Sequence, residues 1–378
     1  MELPDAGRVL QLLRAGVVRV GAVDAPFGAR VTVGGGEAVV VRVGPEETGL
    51  ALISGAARVG DVVTDARPLT LPTEPRFGRV LSPFGVAQDG GAAYDGPRAR
   101  WRAPSLSMSA SSSSAWVRTG LRSVDLLDPL TTGGSRLWTG AGTGLLELVC
   151  AFVSGEVLVA MPGAPRSEVQ RVRRAAPSAA ILWTGPEAPP LAVVQTLRAA
   201  VLAAPKARVT LVHGLGRAAA AARALSVPLS TGRDPFGWPL SFDAEVAAVG
   251  DAAGEGRVVL GTAVLDAPGL EDHLVPWFDA HTRFDAAPLG RLPRVHCGDA
   301  PSSKLGPAPL PRDLRRDAGV LRARLGAASR EADVASLFGR PAPTEAAWRV
   351  LDQRPHEAAG DLGALARQAT AALYADGA

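Results

Sequence analysis

Leu137-Trp138-Thr139-Gly140-Ala141-Gly142-Thr143-Gly144-Leu145-Leu146-Glu147 reads as a short apolar strand, a glycine-rich turn and the start of an apolar-faced helix. Glycines at 140, 142 and 144 let backbone N–H groups converge on an anion, and a helix N-terminus adds the positive end of its dipole. This is the outline of a phosphate-binding loop, with Gly140, Gly142, Thr143 and Gly144 as its candidate contacts. A working loop ends in Gly-Lys-Ser/Thr, because the lysine reaches the β- and γ-phosphates and the hydroxyl binds magnesium. Leu145 and Leu146 occupy those two positions. The outline is present and its charge chemistry is missing.

Working outward from the loop, apolar runs at 136–139, 157–161, 180–183, 209–213 and 258–264 alternate with Ala- and Arg-rich helical stretches such as 191–204 and 217–225. Such alternation predicts a mainly parallel sheet covered by helices, with ligands at the carboxyl ends of the strands. The glycine loop lies at one of those ends. Upstream, 17–20, 29–33, 37–43, 50–53 and 61–64 are β-branched or alternating runs separated by Gly, Pro and Asp. Five or six strands in so short a stretch predict a small closed barrel. A serine-rich stretch ending near residue 115 reads as a connector, and apolar residues at helical spacing in 314–325 and 361–374 predict a C-terminal helical layer. The expected division is 1–78 for an N-terminal β-barrel, 79–310 for an α/β domain and 311–378 for a helical domain.

Composition narrows the chemistry. The chain has 378 residues, and its net charge of +3 is spread out, which gives no basic patch for nucleic acid. Nearly all the cations are arginines, and the lysines Lys206 and Lys304 lie far from the loop. Cys150 and Cys297 are too few for a disulfide framework or a zinc cluster, and the five histidines lack metal-site spacing. No apolar run has transmembrane length and no signal peptide is legible, so a cytoplasmic location is expected.

Several ordered landmarks together resemble one family. Gly78-Arg79-Val80-Leu81 with Gly85 and Asp89-Gly90 is similar to a barrel exit, and Thr119-Gly120-Leu121-Arg122-Ser123-Val124-Asp125 followed by Gly134-Ser135-Arg136 to the approach to the loop. Gly163-Ala164-Pro165-Arg166, Thr184-Gly185-Pro186-Glu187, Gly237-Trp238-Pro239-Leu240-Ser241 and Asp279-Ala280-His281 follow in the same order. The set resembles the α/β subunits of rotary ATPases and their relatives in type III secretion and flagellar export. The resemblance implies a RecA-like P-loop NTPase domain between the barrel and the helices, a ring of subunits, and ATP hydrolysis coupled to protein secretion or proton transport.

The departures fall on the chemistry that the resemblance implies. Leu145 stands for the lysine, Leu146 for the magnesium hydroxyl, Ala164 for the glutamate that polarises water, and His213 for the aspartate of the second motif. Near Ser302-Ser303-Lys304 the family has an arginine that reaches a neighbour's nucleotide. Loss of the lysine alone removes a charge-assisted contact of about 1.5–3 kcal/mol. The expectation is a pseudo-ATPase without catalytic residues, metal or resident cofactor, which acts as an assembly or regulatory subunit. Its partners would be a homo- or hetero-oligomeric ring, a catalytic sister ATPase, or stalk and export components at the inner face of a membrane. The competing expectation is a weak or composite hydrolase. Weak ATP or ADP binding to the loop's backbone donors without well-held magnesium remains open beside a purely structural turn. His213 is expected to be packed without a carboxylate partner, Arg217 and Arg223 to make ordinary solvent or subunit contacts, and Asp125 and Asp128 to make turn or cap bonds.

Overall fold

The computed structural model describes residues 7–102, 115–140, 142, 144–152, 157–233, 237–254, 256–264, 267–297, 309–336, 344–355 and 357–375. The serine-rich connector and the segment holding Lys304 lie outside these residues.

The valine-rich start of the chain folds into β1 (Val9–Leu12), β2 (Val17–Gly21), β3 (Ala29–Val33), β4 (Gly36–Val43), β5 (Glu47–Ser54) and β6 (Val63–Pro68). They form one antiparallel sheet in the order β1-β2-β5-β4-β3-β6. The two edges meet where Arg8 bridges Val62, with Val9 N donating to Asp61 O at 2.8 Å and Val63 N to Gly7 O at 2.8 Å. That contact closes the barrel and removes its open edges. Val18, Val20, Val31, Val33, Val40 and Leu50 fill the interior. The alternate residues Val17, Val39, Ala51 and Ile53 face outward and join the core of the α/β domain.

Five short strands and a helix follow, of which β8 joins the edge of the central sheet: β7 (Thr70–Pro72), β8 (Val80–Leu81), β9 (Arg98–Arg100), β10 (Trp116–Val117), α1 (Arg122–Leu127) and β11 (Leu130–Thr131). Then come β12 (Gly134–Gly140), α2 (Gly144–Phe152), β13 (Val157–Met161), α3 (Arg166–Ala175), β14 (Ala180–Trp183) and α4 (Pro190–Ala203). The domain continues with β15 (Val209–His213), α5 (Leu215–Leu229), α6 (Leu240–Asp251), β16 (Val258–Ala263), α7 (Leu270–Leu274), β17 (Ala280–Asp285) and β18 (Arg294–Val295). The sheet runs β18-β17-β12-β16-β15-β13-β14-β8. All neighbours are parallel except β17 and β18. The strands β13 and β16 are buried along their whole length, which is why they read as unbroken apolar runs.

The two faces of the sheet carry different helices. Buried residues of α2 and α3 join one apolar cluster, and those of α4, α5, α6 and α7 join the other. The C-terminal helices α8 (Arg312–Ser336), α9 (Glu345–Leu351) and α10 (Leu362–Ala375) add Leu321, Leu325, Trp348, Leu351 and Ala366 to the α2 side. Two arginines fasten that layer. Arg122 donates to Asp352 O, Ala359 O and the Glu357 carboxylate. Arg294 forks onto Asp352 at 2.9 and 2.8 Å, pairs with Glu345 at 3.0 Å, and lies over the Trp348 ring, 5.4 Å from its centroid.

Between α4 and α6 the buried Glu245 faces Arg198 at 3.8 Å, without a hydrogen bond on Glu245 Oε2 or Arg198 Nε. Burial pushes the Glu245 carboxyl up to about 7 from its ordinary 4.5, and Arg198 offsets only part of this. The folded chain therefore keeps a proton that the unfolded chain has lost between those two values. The penalty is absent below 4.5, grows through the interval and is complete above about 7. On this account stability falls by roughly 3 kcal/mol, to order of magnitude, between pH 4.5 and pH 8. Urea titrations of Glu245→Gln should lack that component of the wild-type pH dependence. Parallel curves for the two proteins would refute it.

Candidate functional site

The glycine loop sits where the alternation of strands and helices places it, at the carboxyl end of β12 and the start of α2. Gly140 has φ +88° and Gly142 φ +50°, values that side chains with a Cβ rarely adopt. A Cβ on Gly140 would come within 2.3 Å of Phe284 O on β17, so this glycine is also required by close backbone approach. Gly140→Ala is expected to cost about 2 kcal/mol, from the left-handed φ and the clash together. A melting curve that does not move would contradict this. Thr143 and Ala141 lie outside the described residues.

Leu145 and Leu146 point inward. Leu145 is 0% exposed and Leu146 5%, both within the apolar cluster that holds Trp138, Phe152, Phe284 and the C-terminal helices. Trp138 packs edge-on against Phe152 and Phe284, with ring centroids 6.1 and 5.3 Å apart. Ala164 is also 0% exposed, its N–H bonded to Thr184 O and its carbonyl to Trp183 Nε1. All three positions therefore belong to the apolar interior.

His213 ends β15 and is buried, as expected, but its surroundings are not. Its Nδ1 pairs with Thr262 Oγ1 of β16 at 2.8 Å, and its Nε2 lies 3.6 Å from the Glu168 carboxylate of α3. The expectation of no carboxylate partner is thus corrected: the pairing of β13 with β15 brings the first turn of α3, with Glu168, beside His213. Burial holds His213 below its ordinary value, since Glu168 compensates only in part and Arg217 opposes a second cation. Burial would raise Glu168, but His213 and Arg217 outweigh it and hold the carboxyl below its usual range. Arg217 pairs with Glu168 at 2.8 Å and also donates to Pro162 O and His213 O at 3.2 and 3.3 Å. Its role is internal, not an ordinary surface contact. Arg223 lies 5.2 Å above the Trp238 ring.

A second polar group lies on the other side of β12. Thr139 Oγ1 is 2.8 Å from His281 Nε2 and donates to Glu271 Oε1 at 3.1 Å, and His281 lies 3.0 Å from the same carboxylate. Thr139 is fully buried, and its hydroxyl and the carboxylate share one imidazole nitrogen. This arrangement ties β12, β17 and α7 together and does not expose a nucleophile. Nothing in the sequence singled it out except the Asp279-Ala280-His281 segment. Asp125 accepts from Thr119 and Gly120 N–H groups, as a turn bond should. Asp128 instead forms a buried ion pair with Arg136 and accepts from Thr282.

No protein-family model and no curated protein matches the chain. Among solved structures, it matches the assembled ATPase EscN from the enteropathogenic E. coli (EPEC) type III secretion system. The alignment covers 99% of this chain and 100% of that one, with a TM-score of 0.77 at 14% sequence identity. The chain has the fold of a type III secretion ATPase. Barrel, α/β domain and C-terminal helices all take part, because the match runs nearly end to end. At 14% identity the fold persists while individual side chains have been free to change.

A magnesium-bound nucleoside triphosphate would need a cation and a hydroxyl at the loop and a carboxylate beyond it. Here the loop offers two buried leucines, and Glu168, the carboxylate near His213, is bonded to Arg217. Among the described residues, no group of three or more His, Cys, Asp and Glu side chains could hold a metal ion. The residues do not fit that group. No helix among the described residues is long and apolar enough to cross a membrane.

Proposed function

We propose that this chain belongs to the rotary and type III secretion ATPase α/β family as a non-hydrolysing member, an assembly or regulatory subunit. The observation that carries the reading is the burial of Leu145 and Leu146 in one core with the C-terminal helices. An apolar side chain in a phosphate's place leaves a polyanion desolvated without compensation. Phosphoryl transfer rests on positioning and charge stabilisation, and Leu145, Leu146, Ala164 and His213 together withhold both. The fold match supports a place in an oligomeric ring, alone or beside a catalytic sister ATPase, at the cytoplasmic side of a secretion apparatus. The loop's backbone N–H groups are the remaining donors for a weak nucleotide contact without magnesium.

The test is phosphate release by the purified full chain with magnesium and ATP. Turnover equal to the blank is expected. Steady magnesium-dependent hydrolysis that Ala substitution of Arg217 or Glu168 abolishes would establish the competing weak or composite hydrolase.

A further inference from the structure

In an open α/β sheet a ligand crevice forms where neighbouring parallel strands send their following helices to opposite faces. The strands β13 and β15 are such neighbours. Val169 and Val172 bury α3 on one face, whereas Leu215, Ala218 and Ala219 bury α5 on the other. The space between their carboxyl ends is where general topology puts a small molecule, and this chain fills it with its own side chains.

We infer that Arg217 is a lock: its guanidinium closes the β13–β15 crevice by binding Glu168 across the sheet edge, so the crevice keeps one geometry without any ligand. Three contacts converge on one planar group. Arg217 Nη1 meets Glu168 Oε2 of α3 at 2.8 Å, Nε meets Pro162 O beyond β13, and Nη2 folds back on His213 O at the end of β15. A fork satisfied on several sides loses less side-chain freedom per bond than a lone surface pair. One glycine makes room for it: a Cβ on Gly214, at φ +100°, would lie 2.4 Å from the guanidinium. The lock extends sideways, because Thr262 Oγ1 pairs with His213 Nδ1 and accepts from Gly214 N. The ends of β13, β15 and β16 are thereby held by side-chain bonds in addition to the backbone ladders.

The lock does not depend on whether the chain hydrolyses ATP, and its test does not read hydrolysis. Hydrogen exchange on the full-length protein would compare wild type, Arg217→Met, Glu168→Gln and the double variant. Either single change is expected to speed exchange about tenfold or more in both 162–168 and 213–217, leaving barrel amides unchanged. The double variant should add little to the larger single effect, since both remove one interaction. Millimolar ATP with magnesium should leave wild-type protection in 162–168 unaltered. Faster exchange confined to 213–217, additive single effects, or release of 162–168 by nucleotide would each overturn the lock. Should Arg217→Met fail to fold, Glu168→Gln read at both segments decides it.

Discussion

Leu145→Lys combined with Leu146→Thr is expected to destabilise the protein by about 4 kcal/mol and to leave phosphate release at the blank. The pair restores the letters of a working loop, yet the positions have become core. Leu145 is in contact with an apolar cluster that includes Trp138 and Phe284, and no solvent reaches it. Lysine there either ionises without hydration or stays neutral at a cost, and it also forfeits the leucine's own burial, about 1.5–3 kcal/mol. Threonine at 146 adds a hydroxyl that needs a partner. Hydrolysis stays absent because Ala164 and His213 are unchanged. Urea unfolding would show a lower midpoint with an unchanged slope. A double variant as stable as wild type would mean that the loop is an open pocket after all, and one that turned over ATP would show that Ala164 and His213 do not by themselves withhold hydrolysis.

Arg294→Ala is the second large effect, expected at about 3–5 kcal/mol because it strands a nearly buried Asp352 carboxylate. Burial works against the charge on Arg294, but Asp352 and Glu345 outweigh it and raise its affinity for the proton. The same guanidinium stacks on Trp348, so truncation removes packing as well as charge. Loss should be concentrated in α9 and α10, with faster amide exchange at 345–351 and 362–375. Arg294→Lys should recover less than half, since an ammonium cannot fork onto one carboxylate while meeting another. A melting temperature shifted by only a degree or two would show that the pair contributes little.

Much of the sheet was legible for a specific reason. Strands at 157–161, 180–183 and 209–213 appear in the structure at those bounds, because buried parallel strands leave no room for polar alternation. The strand β1 was missed: Val9-Leu10-Gln11-Leu12 is leucine-rich, bulged and mostly exposed, and its identity comes from pairing with β2. The strand β17 was seen as a motif and not as a strand, since His281, Arg283 and Asp285 interrupt its apolar residues. Ala164, Leu145 and Leu146 stood out as departures only beside the family that the sequence resembles, and all three side chains are buried. The Arg217–Glu168 contact was not legible, because its partners are 49 positions apart and meet only after β13 and β15 pair. Likewise, Thr139, Glu271 and His281 converge only through the β12–β17 register.

The two large apolar clusters have a consequence for how the molecule comes apart. One joins α2, beside the glycine loop, to α8, α9 and α10, and the other joins the outer wall of the barrel to α4 and α5. Neither respects the boundaries that composition draws near 78 and 310. Heat should therefore not melt the barrel, sheet and helical layer one after another. A calorimeter should record a single endotherm whose van't Hoff and measured enthalpies agree. A chain cut after residue 310 would present the side of α1 that carries Val124, Leu126 and Leu127 to water, and would be recovered as aggregate rather than as a smaller soluble protein.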